Sequence, residues 1–262
     1  MTTPNFEIKG EIATGAQGTV ISAVDSKTHK NFAIKVFNLQ NSNGSRSFSH
    51  ETAVIKHLKT KNVKKLCSIK GMSMNDNFGF IFMKQYSYDL FSLIFDSDDQ
   101  LDEKAIKKYF KQVCKAVAEM HKVGVAHLDL KPENVLIDKK GEACVCDFGC
   151  AYVSERKRTI FHKSPKHKQV GGLKGRGTKL YAAPEVFSKA VNMYNPFLAD
   201  IYSLGVILHV LMTGVFPIKN NLELSREKLP AICYSLLASI LRVNPEERPS
   251  ISQILSHKWF KC

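Results

Sequence analysis

The sequence predicts a two-lobed α+β fold, with a small β-rich N-terminal lobe, a larger mostly helical lobe after it, and a cleft between them. Three observations carry this. The first third holds four short β-type runs around one helical stretch, the remainder has helical periodicity, and the change of character falls near Gln85 to Ser87. That divides the chain into residues 1–86 and 87–262, two lobes of one domain, since 262 residues exceed one typical domain but are few for two independent ones.

The β-type runs are Phe6 to Ile12, Gly18 to Val24, Phe32 to Phe37 and Phe78 to Met83. Between the last two, Phe48 to Leu58 places Val54, Ile55 and Leu58 at helical spacing. In Asp102 to Lys122, the apolar Ile106, Tyr109, Phe110, Val113, Val117 and Met120 recur every three or four residues, with Asp102 as the N-cap. Ala199 to Met212 is apolar nearly all round, which predicts a helix inside the larger lobe. Cys150 to about Leu180 carries no clear pattern, and a loop of that length is usually functional or disordered. From Arg156 to Lys179 it has nine Lys or Arg and no acidic residue, a basic platform or a solvated loop.

A hydrophobic fraction of 44% and a charged fraction of 24% fit a chain that buries a core and argue against disorder. The formal charge of +14 favours phosphates, acidic peptides, nucleic acid or anionic lipid without choosing among them. The seven cysteines follow no zinc-like spacing, Met1 to Lys9 lacks the apolar run of a signal peptide, and no run of about 18 apolar residues appears. Reduced thiols inside the cell, in cytoplasm or nucleus, and no membrane span are therefore expected.

Four groups of residues carry chemistry. Ala13-Thr14-Gly15-Ala16-Gln17-Gly18-Thr19-Val20 lies between two strand-like runs, where glycines let a backbone bend over phosphates. Alone it is a weak signal. Ala33-Ile34-Lys35-Val36 puts a lysine in an apolar strand, where it must find an anion, and Glu51 on the next helix is a candidate. His127-Leu128-Asp129-Leu130-Lys131-Pro132-Glu133-Asn134, followed by Cys146-Asp147-Phe148-Gly149, sets two carboxylates and an amide in two loops beside short apolar strands. Asp129 can accept a hydroxyl proton, and Asn134 and Asp147 offer the oxygen ligands that Mg²⁺ prefers.

These motifs in this order, with Ala183-Pro184-Glu185, resemble the eukaryotic-type protein kinase family over essentially the full length. The resemblance implies a bilobal kinase fold, ATP and Mg²⁺ as cofactors, and protein substrates. It implies that Lys35 anchors ATP and Glu51 pairs with it. Asp129 is the expected catalytic base, Lys131 steadies the γ-phosphate, and Asn134 and Asp147 hold the metal. Ala13, Gly15 and Gly18 cover the phosphates. Met83 is the expected gatekeeper, Lys84 to Tyr86 the hinge, and Val20, Ala33 and Leu136 sandwich the adenine. Asp200 resembles the aspartate that braces the catalytic loop, and Arg248 the partner of Glu185. Lys131, and Gly177-Thr178 before Tyr181, follow the serine/threonine pattern, with Thr178 expected to bond Asp129 and Lys131.

Two positions depart from the family pattern. Ala13 replaces the first glycine, and Leu128 replaces the arginine that usually binds a loop phosphate. Locally, the sequence resembles the Mos kinases and the minimal kinases of large DNA viruses, too briefly to assign a subfamily. The motifs reach close to both ends, so no attached regulatory domain is expected. A monomer is expected as well. Two readings compete with a serine/threonine kinase. One is a pseudokinase scaffold, opposed by Lys35, Asp129, Asn134 and Asp147. The other is a basic nucleic-acid-associated protein, which would need no ATP and would bind with steep salt dependence.

Overall fold

The computed structural model describes residues 6–15, 18–96, 101–154, 169–217 and 222–261. The small lobe is a five-stranded antiparallel sheet of β1 (Phe6–Gly15), β2 (Gly18–Asp25), β3 (Asn31–Asn38), β4 (Ile69–Met74) and β5 (Phe78–Lys84), in the order β1-β2-β3-β5-β4. The helix α1 (Ser42–Thr60) packs against β3 and β5. It begins earlier than its apolar spacing suggests. Asn41 caps it by accepting the Gly44 N–H at 2.6 Å, and a first turn of Ser, Asn and Gly carries no periodicity. β4 escaped the sequence reading because Lys70, Gly71 and Ser73 break the alternation that marks a strand.

The larger lobe starts with β6 (Tyr88–Asp89), α2 (Leu90–Phe95) and α3 (Glu103–Lys122), whose cap Asp102 accepts the Ala105 N–H at 2.6 Å. Then come β7 (Val125–Ala126), β8 (Val135–Ile137), β9 (Ala143–Val145) and β10 (Tyr152–Val153). β6, β8 and β9 form a small sheet, and β7 pairs with β10. β11 (Val170–Gly171), α4 (Pro184–Phe187) and β12 (Met193–Tyr194) lead into α5 (Pro196–Thr213), with α6 (Ala231–Ile240) and α7 (Ile251–Ser256) closing the lobe. The stretch read as patternless thus contains two short pairings, β10 with β7 and β11 with β12, each too short to show alternation.

α5 is long and apolar enough to cross a membrane, yet nearly every residue from Pro196 to Leu211 is buried in this lobe. It is the central core helix, as its all-round apolar pattern suggests. One core cluster fills the large lobe. A second joins Phe37, Phe48, Val54, Ile55, Leu58 and Ile81 of the small lobe to Met120, Val125, Phe148 and Ala151 of the large one. Phe148, 2% exposed, therefore seats the Asp147 loop against α1. Burial of such a ring contributes about 1.5–3 kcal/mol.

Candidate active site

The segment from His127 to Asn134 hangs between β7 and β8 and is pinned from below by Asp200 of α5. Asp200 is fully buried, and its carboxylate accepts the His127 N–H and the Leu128 N–H, each at 2.8 Å. His121 Nε2 lies 2.8 Å from the same carboxylate. Three partners offset the cost of a buried charge and hold Leu128 at φ +63°, a left-handed conformation disfavoured for leucine. His127 Nε2 donates to the Cys146 carbonyl at 2.9 Å, which leaves Nδ1 to accept the Asp129 N–H at 3.2 Å.

Asp129 Oδ1 accepts both the N–H and the hydroxyl of Thr178, each at 2.8 Å. Lys131 Nζ donates to Thr178 Oγ1 at 3.1 Å and stands 3.8 Å from Asp129 Oδ2. Gly177 makes this approach fit: its φ is +82°, and a Cβ there would collide with the Leu128 carbonyl. The Asn134 amide donates to the Asp129 carbonyl at 2.8 Å, which turns its oxygen away from that carbonyl. The Asn134 carbonyl accepts the Cys146 N–H at 3.0 Å, so Asn134 and Asp147 sit on hydrogen-bonded neighbouring segments.

Lys35 is 5% exposed and donates to Glu51 Oε2 at 2.8 Å and to Asp147 Oδ1 at 2.9 Å. Burial disfavours its charge, but the two carboxylates outweigh that and raise its pKa above the ordinary lysine value. Burial works against the Asp147 carboxylate too, and Lys35 overcomes it, leaving the pKa lowered. Glu51 is raised by burial, with Lys35 pulling against that. Asp147 has φ +62°, held by Lys35 and by the Gly149 N–H at 3.2 Å.

Above these groups, the β1–β2 hairpin pairs Ala13 with Val20 and Gly15 with Gly18, while Ala16 and Gln17 lie outside the described residues. At Gly18, φ is +151° and a Cβ would come 2.5 Å from the Val36 carbonyl, so the position needs glycine. Val20 pairs with Lys35, Ala33 pairs with Met83, and Leu136 lies on β8 opposite Cys144. The Lys84 and Tyr86 side chains are engaged elsewhere. Lys84 Nζ donates to Asp138 Oδ2 at 3.1 Å, and the Tyr86 hydroxyl accepts the Ser68 N–H at 3.0 Å.

A protein kinase domain model matches residues 6–260. The chain belongs to the protein kinase domain family. It is 31% identical to CBL-interacting serine/threonine-protein kinase 15 of Arabidopsis thaliana over 98% of this chain and 61% of that protein. It is 30% identical to CBL-interacting protein kinase 29 of Oryza sativa subsp. japonica over 98% of this chain and 59% of that one. It is 29% identical to serine/threonine-protein kinase dkf-1 of Caenorhabditis elegans over 95% of this chain and 35% of that one. The chain thus spans about three-fifths or less of the length of these relatives.

Other marks of the kinase domain are assembled as well. Arg248 makes a two-pronged pair with Glu185 at 2.6 and 2.9 Å, both side chains being buried. Leu128 lies inside the core of the large lobe, 6% exposed. Of the nine cations between Arg156 and Lys179, those up to Lys168 lie outside the described residues. Lys174 and Lys179 are exposed, but Arg176 turns inward, donating to the Cys150 and Ala151 carbonyls at 3.2 and 3.3 Å. Sequence reasoning counted Arg176 with the surface platform, because inside a run of cations nothing distinguishes one that folds back. It also passed over Glu133 and Tyr181, whose Oε2 and hydroxyl are buried without a hydrogen-bond partner among the described residues.

Proposed function

We propose that the chain transfers the γ-phosphoryl group of ATP to serine and threonine hydroxyls of proteins, with Mg²⁺ as cofactor. The observation that carries this is the simultaneous presence of two assembled clusters. One is Lys35 between Glu51 and Asp147, and the other is Asp129 with Lys131 and Thr178. A carboxylate and an amide oxygen on adjacent segments suit a hard divalent cation, and Asp147 and Asn134 would hold it. When bound, Mg²⁺ neutralises charge on the phosphate oxygens during transfer.

In this reading Lys35, its charge secured by Glu51, binds phosphate oxygens. Gly15 and Gly18 let the hairpin present main-chain N–H groups from above. Asp129 orients the acceptor hydroxyl and takes its proton. Lys131 lies where it offsets negative charge on the transferred group. Thr178 tethers the segment that would seat the substrate to Asp129. Asp129→Asn should remove transfer without unfolding the chain, and the substrate's phosphorylated residue should be serine or threonine on acid hydrolysis. Phosphotyrosine as the main product would refute the assignment.

For substrate choice we propose acidic or phosphorylated residues near the target hydroxyl. The basic stretch from Arg156 to Lys179 supports this through charge-assisted hydrogen bonds. Exposed pairs contribute only about 0–1 kcal/mol each, so several must act together. The unpartnered carboxylate oxygen of Glu133 pulls the other way at one position, toward a donor. A positional-scanning peptide library at two salt concentrations decides. Acidic selection that fades with salt supports the basic stretch, and general selection for Arg or Lys overturns it.

A further inference from the structure

We infer that Arg176 is a positioning residue that locks the two halves of the active site together without a phosphate. This rests on the reading of the chain as a phosphotransferase. Two donors converge on one carbonyl. His50 Nε2 lies 2.8 Å from the Ala151 oxygen, and because a carbonyl only accepts, that ring nitrogen donates. Arg176 Nη1 donates to the same oxygen at 3.3 Å and to the Cys150 oxygen at 3.2 Å.

Each donor is one or two residues from a member of the active site. His50 precedes Glu51 on α1, and Arg176 stands two residues before Thr178. Their shared target, the Ala151 carbonyl, lies two residues after Gly149 of Asp147-Phe148-Gly149. One guanidinium therefore joins the segment that carries Thr178 to the segment that carries Asp147, and His50 joins the latter to α1. Ala151 is fully buried, so its carbonyl needs such partners. The Arg176 segment is itself anchored, since Gly175 donates to the Val186 carbonyl at 3.0 Å and the Tyr194 hydroxyl donates to the Leu173 carbonyl at 2.8 Å.

Leu128 explains why the lock has this form. It offers no charge beside Asp129 and is packed among apolar residues of the large lobe. A cation reaching the segment after Gly149 must come from elsewhere, and Arg176 supplies it. Because the acceptors are main-chain carbonyls, the lock persists whatever the state of loop hydroxyls. The guanidinium and the two imidazoles of His50 and His57 line a cavity of about 440 Å³ with Tyr152 and Val153, which leaves room for a small cation to replace a missing side chain.

The test uses the full chain made in bacteria and treated with phosphatase, with the variants Arg176→Ala and Arg176→Lys. Loss of charge-assisted bonds predicts that Arg176→Ala lowers kcat about tenfold or more. KM for ATP should stay within about twofold, and the melting temperature within about 3 °C. Millimolar methylguanidinium should restore part of kcat in Arg176→Ala and none in the parent, and Arg176→Lys should lie between the two. Unchanged kcat in Arg176→Ala overturns the inference, as does a loss that methylguanidinium leaves unrelieved. A parent chain with no transfer activity would defeat the reading of function instead. Amide exchange then tests the lock alone: faster exchange across Ala151–Val153 in Arg176→Ala supports it, and unchanged exchange overturns it.

Discussion

In the proposed reaction the loop of residues 127–134 and the β1–β2 hairpin would both face the phosphates, yet they are built by opposite means. The loop is fixed by buried side chains: Asp200 beneath it, Thr178 and Asn134 around Asp129, Phe148 wedged under α1. The hairpin strand β1 is exposed along almost its whole length and works through main chain and glycine. Charges that act on the reacting groups need fixed positions, because reorientation during reaction costs free energy. A cover over the phosphates needs only N–H groups and room to move. Substitutions in the loop should therefore change rate steeply, and those in the hairpin only gently.

The largest effects should come from the fixed charges. Asp147→Ala and Lys35→Met should each lower kcat by about a thousandfold or more, with melting near that of the parent. Wild-type turnover in Asp147→Ala would break the comparison at its stronger side. Asp200→Ala should act on stability and rate together. It leaves the His127 and Leu128 N–H groups buried without an acceptor, at about 1–3 kcal/mol each. Thermal unfolding and steady-state kinetics of this variant, measured in parallel, should fall together, and a rate loss with full stability would separate the brace from the fold.

The hairpin side predicts a small gain. Ala13→Gly supplies the glycine that the kinase pattern has and this hairpin lacks, and KM for ATP should fall by about twofold to fivefold. A fall in kcat instead would show that Ala13 holds a needed conformation. Smaller still is the effect of phosphatase. With Leu128 buried and Arg176 bound to carbonyls, dephosphorylated chain should keep most of its activity. A large loss restored by phosphate at Thr159 or Ser164, both outside the described residues, would contradict this.

Much of this was legible in the sequence, and the limits have physical causes. Glu51 could be proposed for Lys35 because a lysine in an apolar strand demands an anion, and the demand is met at 2.8 Å. Asp200 and Arg248 were legible only through resemblance, since their partners lie far away along the chain: His127 and Leu128 for the first, Glu185 for the second. The roles of Arg176 and His50 were illegible by any route. Both act on main-chain carbonyls, which every residue carries, so no pattern of side-chain types records the contact. Strand β4 and the first turn of α1 were hidden for a related reason, being set by pairing and capping rather than by apolar periodicity.

Cys146, whose main chain bonds His127 and Asn134, carries the mildest prediction. Burial pushes its thiol well above the ordinary cysteine range, with the neighbouring Cys67 thiol and the Asp147 carboxylate adding to the shift. Only the thiolate reacts, so alkylation at neutral pH should be slow and should quicken as pH rises. ATP-Mg²⁺ should protect the thiol in part. Equal labelling with and without nucleotide would place the side chain outside the nucleotide pocket.

Asp129, held by Thr178 and Asn134, is the residue through which we propose phosphoryl transfer to serine and threonine. Radiolabelled ATP with Mg²⁺, one generic basic and one generic acidic protein, and purified parent chain beside Asp129→Asn test it most directly. The expected result is label on serine or threonine with the parent chain, loss of about a hundredfold or more with Asp129→Asn, and equal melting temperatures for the two. Equal labelling by parent and variant, or none by either, would contradict it.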